Sequence, residues 1–188
     1  MQAARGASLN PSVDGHPTSR TGVTRYRLLF AGVFLLGYTI DLGSKTLAVE
    51  RLSGRPDVEI VGEWLQLHLT RNPGAAFSAG SELTPALSLL AIAATGVVVF
   101  VARRVGTRAW AVSLGLLLAG IAGNLTDRIF RAPGPMHGHV VDFLALPNWP
   151  VFNVADLCIN AGAALVLVMS FRGIAVDGTR EARGRHAA

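Results

Sequence analysis

AWAVSLGLLLAGIAGNLTD, residues 109–127, is the stretch that decides the fold predicted for this chain. It is apolar almost throughout and becomes polar only toward its end, at Asn124 and Asp127. A helix needs about 20 predominantly apolar residues to cross a bilayer, so this run predicts a transmembrane helix. Small residues such as Gly120 and Gly123 would let another helix approach it closely.

Three further apolar runs of similar length make four predicted transmembrane helices. They lie at about 28–49, 85–102 and 151–171. Pro85 suits the first position of a helix, and Thr84 before it could act as the N-cap. The composition agrees, because 51% of the chain is hydrophobic and 15% is charged, whereas soluble domains carry about 25% charged residues.

The distribution of arginines predicts the orientation of these helices. Eleven lie in the N-terminal tail, in the connection between the second and third helices, and in the C-terminal tail. Apart from Arg128, which directly follows the third apolar run, the other two connections hold four, namely Arg51, Arg55, Arg71 and Arg131. The positive-inside rule therefore places both termini in the cytoplasm and the segments 50–84 and 128–150 outside.

The tails differ in composition from the part of the chain between them. Residues 1–25 are rich in Gly, Ser, Pro and Arg without periodicity, which predicts a disordered tail. We expect a single membrane domain over residues 26–172 and a second cytoplasmic tail over 173–188. Because the basic residues flank apolar runs, they indicate a membrane surface, and we expect no nucleic-acid partner.

The first outer segment contains a strand pattern. Leu65, Leu67 and Leu69 alternate with polar residues, which is typical of a half-buried strand. Val58–Val61 could be its partner. We therefore predict an all-α membrane protein, a four-helix bundle with a small extracytoplasmic sheet between helices 1 and 2 and a lid segment between helices 3 and 4.

Polar side chains in or beside the apolar runs are the candidates for function, because a charge at membrane depth is costly. They are Asp41, Lys45, Asn124, Asp127, Arg128, Asp142, Asn153, Asp156 and Asn160. The predicted helix directions bring nearly all of them to the outer level of the bundle. Spacing by three, four or seven residues also places Asn153, Asp156 and Asn160 on one helix face.

Two of the aspartates favour catalysis over structure. Asp41–Lys45 and Asp127–Arg128 are most simply interpreted as ion pairs that hold the bundle together. Asp142 and Asp156, however, have no Lys or Arg within four positions. Two nearby carboxylates cannot both ionise easily, so they can share one proton and perform acid–base chemistry. A purely structural role for this pair stays open from spacing alone.

Other chemistries have weaker patterns. His137 and His139 lie in a Gly/Pro-rich loop, where histidines are more often polar loop residues than metal ligands. Cys158 lies inside an apolar run, which indicates helix packing. Ser44 and Lys45 are adjacent on a helix and do not face each other, which argues against a Ser–Lys dyad.

Five segments, taken in order, resemble the lipoprotein signal peptidase family, also called signal peptidase II. They are Asp41-Leu-Gly-Ser-Lys45, Asn72-Pro-Gly-Ala-Ala-Phe77, Gly120-Ile-Ala-Gly-Asn124-Leu-Thr-Asp127-Arg128, Val140-Val-Asp142-Phe143 and Phe152-Asn153-Val-Ala-Asp156. The resemblance spans about residues 28–171 and is highly specific because all five segments are set on four predicted helices.

The resemblance implies an aspartic endopeptidase of the bacterial inner membrane with Asp142 and Asp156 as catalytic residues. The implied substrates are diacylglyceryl-modified prolipoproteins, cut before the lipidated cysteine, and no metal or organic cofactor is implied. The residues implied to bind substrate are Asn72, Gly74, Asn124, Arg128 and Asn153. Those implied to support the site are Asp41, Lys45 and Asp127.

The chain departs from the family pattern in its outer segments. Ala132-Pro-Gly-Pro135 lengthens the stretch before Asp142, and the stretch from Asp142 to Asp156 is short, which implies a lid of different shape. Two other functions stay open from sequence, a proton-coupled carrier that uses its carboxylates as a relay and a non-catalytic scaffold. We expect the protein to be monomeric and to contact membrane lipid.

Overall fold

The computed structural model describes residues 20–74 and 83–180. The predicted tail before residue 20, residues 75–77 of the second family segment and residues 181–188 lie outside them. Helices α1, α2, α3 and α4 span Arg20–Leu52, Thr84–Ala102, Arg108–Phe130 and Val154–Phe171. Within the described residues, each of the four is long and apolar enough to cross a membrane. The prediction of a four-helix membrane protein is confirmed.

Helix α3 is the central helix of the bundle. It packs most extensively against α4 and α1, and less extensively against α2. Its glycines allow the close approach predicted from sequence. A Cβ on Gly120 would collide with the carbonyl oxygen of Ala155 in α4, and one on Gly123 would collide with the carboxylate of Asp41 in α1. The glycines therefore let α3 reach both neighbours at the level of the polar residues.

A three-stranded antiparallel sheet lies at one end of the bundle. Strands β1 and β2, Val58–Val61 and Leu65–Asn72, are those predicted from sequence. Strand β3, Val140–Ala145, pairs with the other edge of β2 and sets Asp142 opposite Thr70.

The prediction was incomplete for β3, because it assigned the whole segment between helices 3 and 4 to a lid and the sheet to the segment between helices 1 and 2. The first four residues of β3 are all buried, so this strand has no inside–outside alternation in its sequence. Its Val141 and Phe143 pack in a cluster with Ala48 and Leu52 of α1. The sheet is thereby attached to the end of that helix.

Several predicted boundaries differ from the structure. Helix α1 begins at Arg20 rather than Leu28, so the part of the predicted disordered tail that the structure describes is helical. Helix α4 begins at Val154 rather than Val151, because Asn153 is its N-cap and forms a reciprocal capping box with Asp156. Thr84 is not the N-cap of α2; its hydroxyl instead donates to the carbonyl oxygen of Pro73.

Candidate active site

The helix ends and the sheet bring the predicted polar residues together beside one end of the bundle. Helix α1 supplies Asp41 and Lys45, and α3 supplies Asn124, Asp127 and Arg128. The start of α4 supplies Asn153 and Asp156, and strands β2 and β3 supply Asn72 and Asp142. The sequence also predicted Asn160 to lie with these residues. It does not, because it lies farther along α4 and its side chain is exposed.

Asp142 is buried and held by two asparagine side chains. Its Oδ2 accepts a hydrogen bond from Asn72 Nδ2 at 2.9 Å, and its Oδ1 accepts one from Asn153 Nδ2 at 2.5 Å. The backbone N–H of Gly74 donates to Asn72 Oδ1 at 2.8 Å. Gly74 has a φ of 115°, which a side chain would strain, so this turn orients the Asn72 amide toward Asp142.

Asp156 lies in the first turn of α4 and is half-buried. Its Oδ1 accepts a hydrogen bond from Asn124 Nδ2 at 2.8 Å, and its Oδ2 accepts one from the backbone N–H of Asn153 at 3.2 Å. Neither Asp142 nor Asp156 forms an ion pair with any residue in the described ranges. Asn153 therefore connects two aspartates that are not neutralised by a cation in direct contact.

The environment of Asp142 favours its protonated form. The pKa of this carboxyl is raised from 3.8 to about 6. Burial raises it most and the nearby charge of Asp156 also raises it, while the amides of Asn72 and Asn153 and the charge of Lys45 lower it. Burial has the largest effect because a charge is poorly solvated in a low-dielectric surrounding. A carboxyl with this pKa can hold or release a proton near neutrality.

Lys45 is the centre of a fully buried ion network beside the two aspartates. Its Nζ lies 2.9 Å from Asp41 Oδ2 and 3.0 Å from Asp127 Oδ2, and donates to Asn124 Oδ1 at 2.9 Å. The predicted Asp41–Lys45 pair is therefore present. The predicted Asp127–Arg128 pair is wrong, because adjacent helix residues point in different directions; Asp127 pairs instead with Lys45 and Arg131.

The two carboxylates paired with Lys45 also bind backbone N–H groups. Asp41 Oδ1 accepts from the N–H of Ala155 at 2.8 Å, and Asp127 Oδ2 accepts from the N–H of Val141 at 3.2 Å. Ala155 directly precedes Asp156, and Val141 directly precedes Asp142. The network around Lys45 thus holds the backbone on which both aspartates are carried.

Arg128 is half-buried, and its charge lies within electrostatic range of Asp142, Asp127 and Asp156. Its Nε is buried and has no hydrogen-bond partner among the residues that the structure describes. A buried guanidinium donor without a partner is costly, so this atom is available to a ligand that brings an acceptor to the site.

Three residues that the sequence analysis missed also hold the site. Arg131 Nε contacts Asp127 Oδ1 across one helical turn, and the spacing of four residues could have indicated that pair. Thr84 donates to Pro73 O at 2.5 Å, and Ser88 donates to Met136 O at 2.8 Å. These hydroxyls bind carbonyl groups of distant loops, for which a single sequence carries no signal.

Comparisons with known proteins agree with the resemblance. The family model described as Signal peptidase (SPase) II matches residues 33–172. The lipoprotein signal peptidase of Streptomyces griseus is 44% identical over 182 residues, which covers 90% of this chain and 92% of that protein. The lipoprotein signal peptidase of Mycobacterium tuberculosis is 43% identical over 175 residues, covering 90% and 85%.

A solved bacterial membrane enzyme has a similar fold. That structure, determined by the in meso method at 1.9 Å resolution, superposes with a TM-score of 0.64 at 22% identity. The match covers 79% of this chain and 94% of the solved chain. A second, determined at 2.3 Å, gives the same TM-score and covers 86% of this chain. At this level of identity the likeness concerns the fold alone.

Proposed function

Because the chain belongs to the signal peptidase II family and is a peptidase that removes signal peptides from prolipoproteins, we propose that Asp142 and Asp156 are its catalytic pair. One observation carries this proposal. Two aspartates from separate elements are connected through Asn153, and neither is paired with a cation among the described residues. Structural aspartates in this bundle, Asp41 and Asp127, are paired with Lys45.

The pair can hydrolyse a peptide bond with one shared proton. The ionised carboxyl takes a proton from a water molecule, which attacks the scissile carbonyl carbon, while the protonated carboxyl donates to the carbonyl oxygen. Collapse of the tetrahedral intermediate then transfers a proton to the departing amine. The raised pKa of Asp142 supports a proton on the pair near neutrality. Since either carboxyl of an interacting pair can carry the shared proton, neither is given a fixed role.

We assign substrate binding to the polar residues around the pair, namely Asn72, Gly74, Asn124, Arg128 and Asn153. They are not equivalent. Both amide hydrogens of Asn153 are used, by Asp142 and by Asn124 Oδ1, so Asn153 holds the pair. Arg128 has the free donor, its Nε, and is the residue that we expect to bind a substrate carbonyl.

The position of the pair suits a lipid-anchored substrate. We propose diacylglyceryl-modified prolipoproteins, cut before the lipidated cysteine. At a membrane–water boundary, water reaches the scissile bond while the acyl chains stay in the bilayer. Exposed Ile60, Val61 and Trp64 on and beside β1 support such a boundary at the sheet, because tryptophan is enriched at membrane interfaces.

For the whole chain, we propose a monomeric protein of the bacterial inner membrane with both termini in the cytoplasm and the site at the extracytoplasmic face. The distribution of arginines supports this orientation. Within it, we propose a membrane domain over residues 26–172, preceded by a cytoplasmic segment whose residues 20–25 already belong to α1, and followed by a cytoplasmic tail over 173–188. We propose no nucleic-acid partner.

The carrier hypothesis is less well supported. A proton relay needs carboxylates at several depths of the membrane. Within the described part of the four helices, the acidic residues are Asp41, Glu50, Asp127 and Asp156. All four lie toward the helix ends that adjoin the sheet, so no acidic relay reaches the opposite side.

Cleavage of a lipidated prolipoprotein by the purified protein tests the proposal. Asp142→Asn and Asp156→Asn should each abolish most cleavage, whereas Asp57→Asn should cleave normally. Asp57 is a matched control, because it forms an exposed pair with His68 away from the site. Substantial cleavage by a folded Asp142→Asn or Asp156→Asn protein would contradict the assignment.

A further inference from the structure

A crevice of about 390 Å³ lies between the end of α1 and the sheet. Helix α1 lines it with Leu47, Ala48, Arg51 and Leu52, and the strands line it with Leu67 and Phe143. Ser44 of α1 also lines it, but its hydroxyl donates to the carbonyl oxygen of Asp41 within the helix. Apart from Arg51 and Ser44, the lining side chains are all apolar. The crevice therefore suits a hydrocarbon chain.

The crevice is separate from the catalytic pair. Phe143 follows Asp142 directly on β3, and consecutive side chains of a strand point to opposite faces of the sheet. Asp142 faces Asn72 and Asn153, whereas Phe143 packs in a cluster with Ala48 and Leu52. A molecule in the crevice would lie against the back of the catalytic strand.

The crevice opens at the level of a membrane interface. Helix α1 crosses the membrane and ends at Leu52. Just beyond it, the sheet exposes the large apolar side chains of Ile60, Val61 and Trp64. A lipid at this level would have its headgroup beside the last turn of α1 and its acyl chains beside Leu47, which is half-exposed on the helix surface.

Arg51 provides a positive charge at this site. It lies in the last turn of α1 and is exposed. Its guanidinium forms no hydrogen bond or ion pair with any residue that the structure describes. Arginine can lay its aliphatic stem along an apolar surface while its charged end reaches the headgroup region, and its planar group binds phosphate by two hydrogen bonds.

We propose that the crevice binds a membrane phospholipid, with one acyl chain between α1 and the sheet and the phosphate on Arg51. The charge identifies the occupant. The lipid on a prolipoprotein is a diacylglyceryl group without phosphate, so it would leave Arg51 without an anion. A phospholipid supplies both the chain and the anion. Bound there, it supports Phe143 and thereby the strand that carries Asp142.

Binding to delipidated full-length protein in a neutral detergent tests the proposal without any cleavage step, so its failure and that of the catalytic assignment are distinguishable. Native mass spectrometry and Tm would be measured with added dioleoylphosphatidylglycerol and with dioleoylglycerol, which has the same chains but no phosphate. Phosphatidylglycerol should bind and raise the Tm, whereas dioleoylglycerol should do so far less.

Arg51→Gln should weaken phosphatidylglycerol binding about tenfold, the loss expected for one charge-assisted contact. Arg55→Gln is the matched control, because Arg55 is exposed nearby and does not line the crevice; this variant should bind like the wild type. Equal binding by Arg51→Gln and the wild type would overturn the proposal, as would an equal response to dioleoylglycerol. An equal loss in Arg55→Gln would assign the effect to general surface charge and overturn it too.

Discussion

Asp127 accepts a hydrogen bond from the backbone N–H of Val141, the residue directly before Asp142, at 3.2 Å. Asp41 has the same relationship to the residue before Asp156, Ala155, at 2.8 Å. Both of these carboxylates are paired with Lys45. One buried ammonium group therefore connects the backbone segments that carry the two proposed catalytic residues. Mutations of the ion network should mainly lower stability, whereas mutations of Asp142 and Asp156 should mainly lower cleavage.

Asp142→Asn and Asp156→Asn should each lower cleavage by about 10²–10⁴-fold, the usual size of an acid–base contribution. The double variant should be little worse than either single variant, because residues that act as one unit are strongly non-additive. A gel-shift assay with a lipidated prolipoprotein measures this, with Asp57→Asn as control. Additive losses in the double variant would mean that the two aspartates act independently.

Lys45→Met should lower the free energy of unfolding by about 3–5 kcal/mol, because it leaves two carboxylates buried without their cation. Asp41→Asn should cost less and keep partial cleavage, since an asparagine oxygen can still accept from the N–H of Ala155. Denaturant or thermal unfolding in detergent gives the stability of each variant. If Lys45→Met were as stable as the wild type, the buried network would not hold the bundle.

The stability of the protein should depend on pH through Asp142. Its pKa is raised from 3.8 to about 6 by folding, so the folded state holds this proton more tightly than the unfolded chain. The resulting stabilisation is complete below about pH 4 and is lost as pH rises through about 6.

Asp142→Asn removes this dependence. The variant should therefore melt higher than the wild type at pH 8, and the difference should shrink at pH 5. Melting curves at both pH values check this. Glu59→Gln is the control that should keep the wild-type dependence, because Glu59 is exposed and forms no ion pair with any described residue. An identical pH dependence in Asp142→Asn would mean that this carboxyl does not titrate in that range.

The sequence allowed the helices to be predicted more accurately than the sheet, for a physical reason. A bilayer imposes a length and an apolar composition on each crossing, and these survive in a single sequence. Strand β3 is buried on both faces near Asp142 and so lacks the alternation by which β2 was recognised. The apolar pattern predicts a start of α4 at Val151, because Asn153 lies between the apolar residues Phe152 and Val154. In the structure Asn153 is the N-cap.

The same limits apply to the site. Convergence of the aspartates followed from helix direction, which the loops and helix lengths determine. The ion-pair partners of Asp127 could not be predicted from sequence. Lys45 lies in another helix and Arg131 lies one turn away, and local spacing does not show which basic residue Asp127 contacts. In contacts such as that of Asp127 with Val141, the donor is a backbone N–H group. Every residue except proline has this group, so the identity of Val141 carries no signal and the contact is seen only in the structure.

Topology is open to a direct measurement. The excess of arginines in the tails and in the connection between α2 and α3 leads us to expect a cytoplasmic C-terminus. The measurement uses a reporter enzyme that works only in the cytoplasm. Fused after Ala188 it should be active, and inserted after Arg55 it should be inactive. Activity in the opposite pattern would place the catalytic site on the cytoplasmic side and contradict the proposed orientation.

The contact between Arg131 and Asp127 makes Arg131 a positioning residue for the site. Arg131 Nε donates to Asp127 Oδ1, and Asp127 in turn holds the N–H of Val141 through its other oxygen. Arg131→Gln should lower kcat by about fivefold with little change in KM, because one partly exposed pair contributes about 1 kcal/mol. The substrate itself makes no contact with this side chain in our assignment.

Arg131→Lys keeps the charge and should recover part of the lost kcat, whereas a merely structural role would give both variants the wild-type kcat once they are folded. Steady-state kinetics with a lipidated prolipoprotein separates kcat from KM, and Arg55→Gln controls for the loss of one exposed arginine. A rise in KM alone would instead place Arg131 in direct contact with substrate. Wild-type kinetics for Arg131→Gln would show that Lys45 suffices to hold Asp127, and that the ion pair seen here does not reach Asp142.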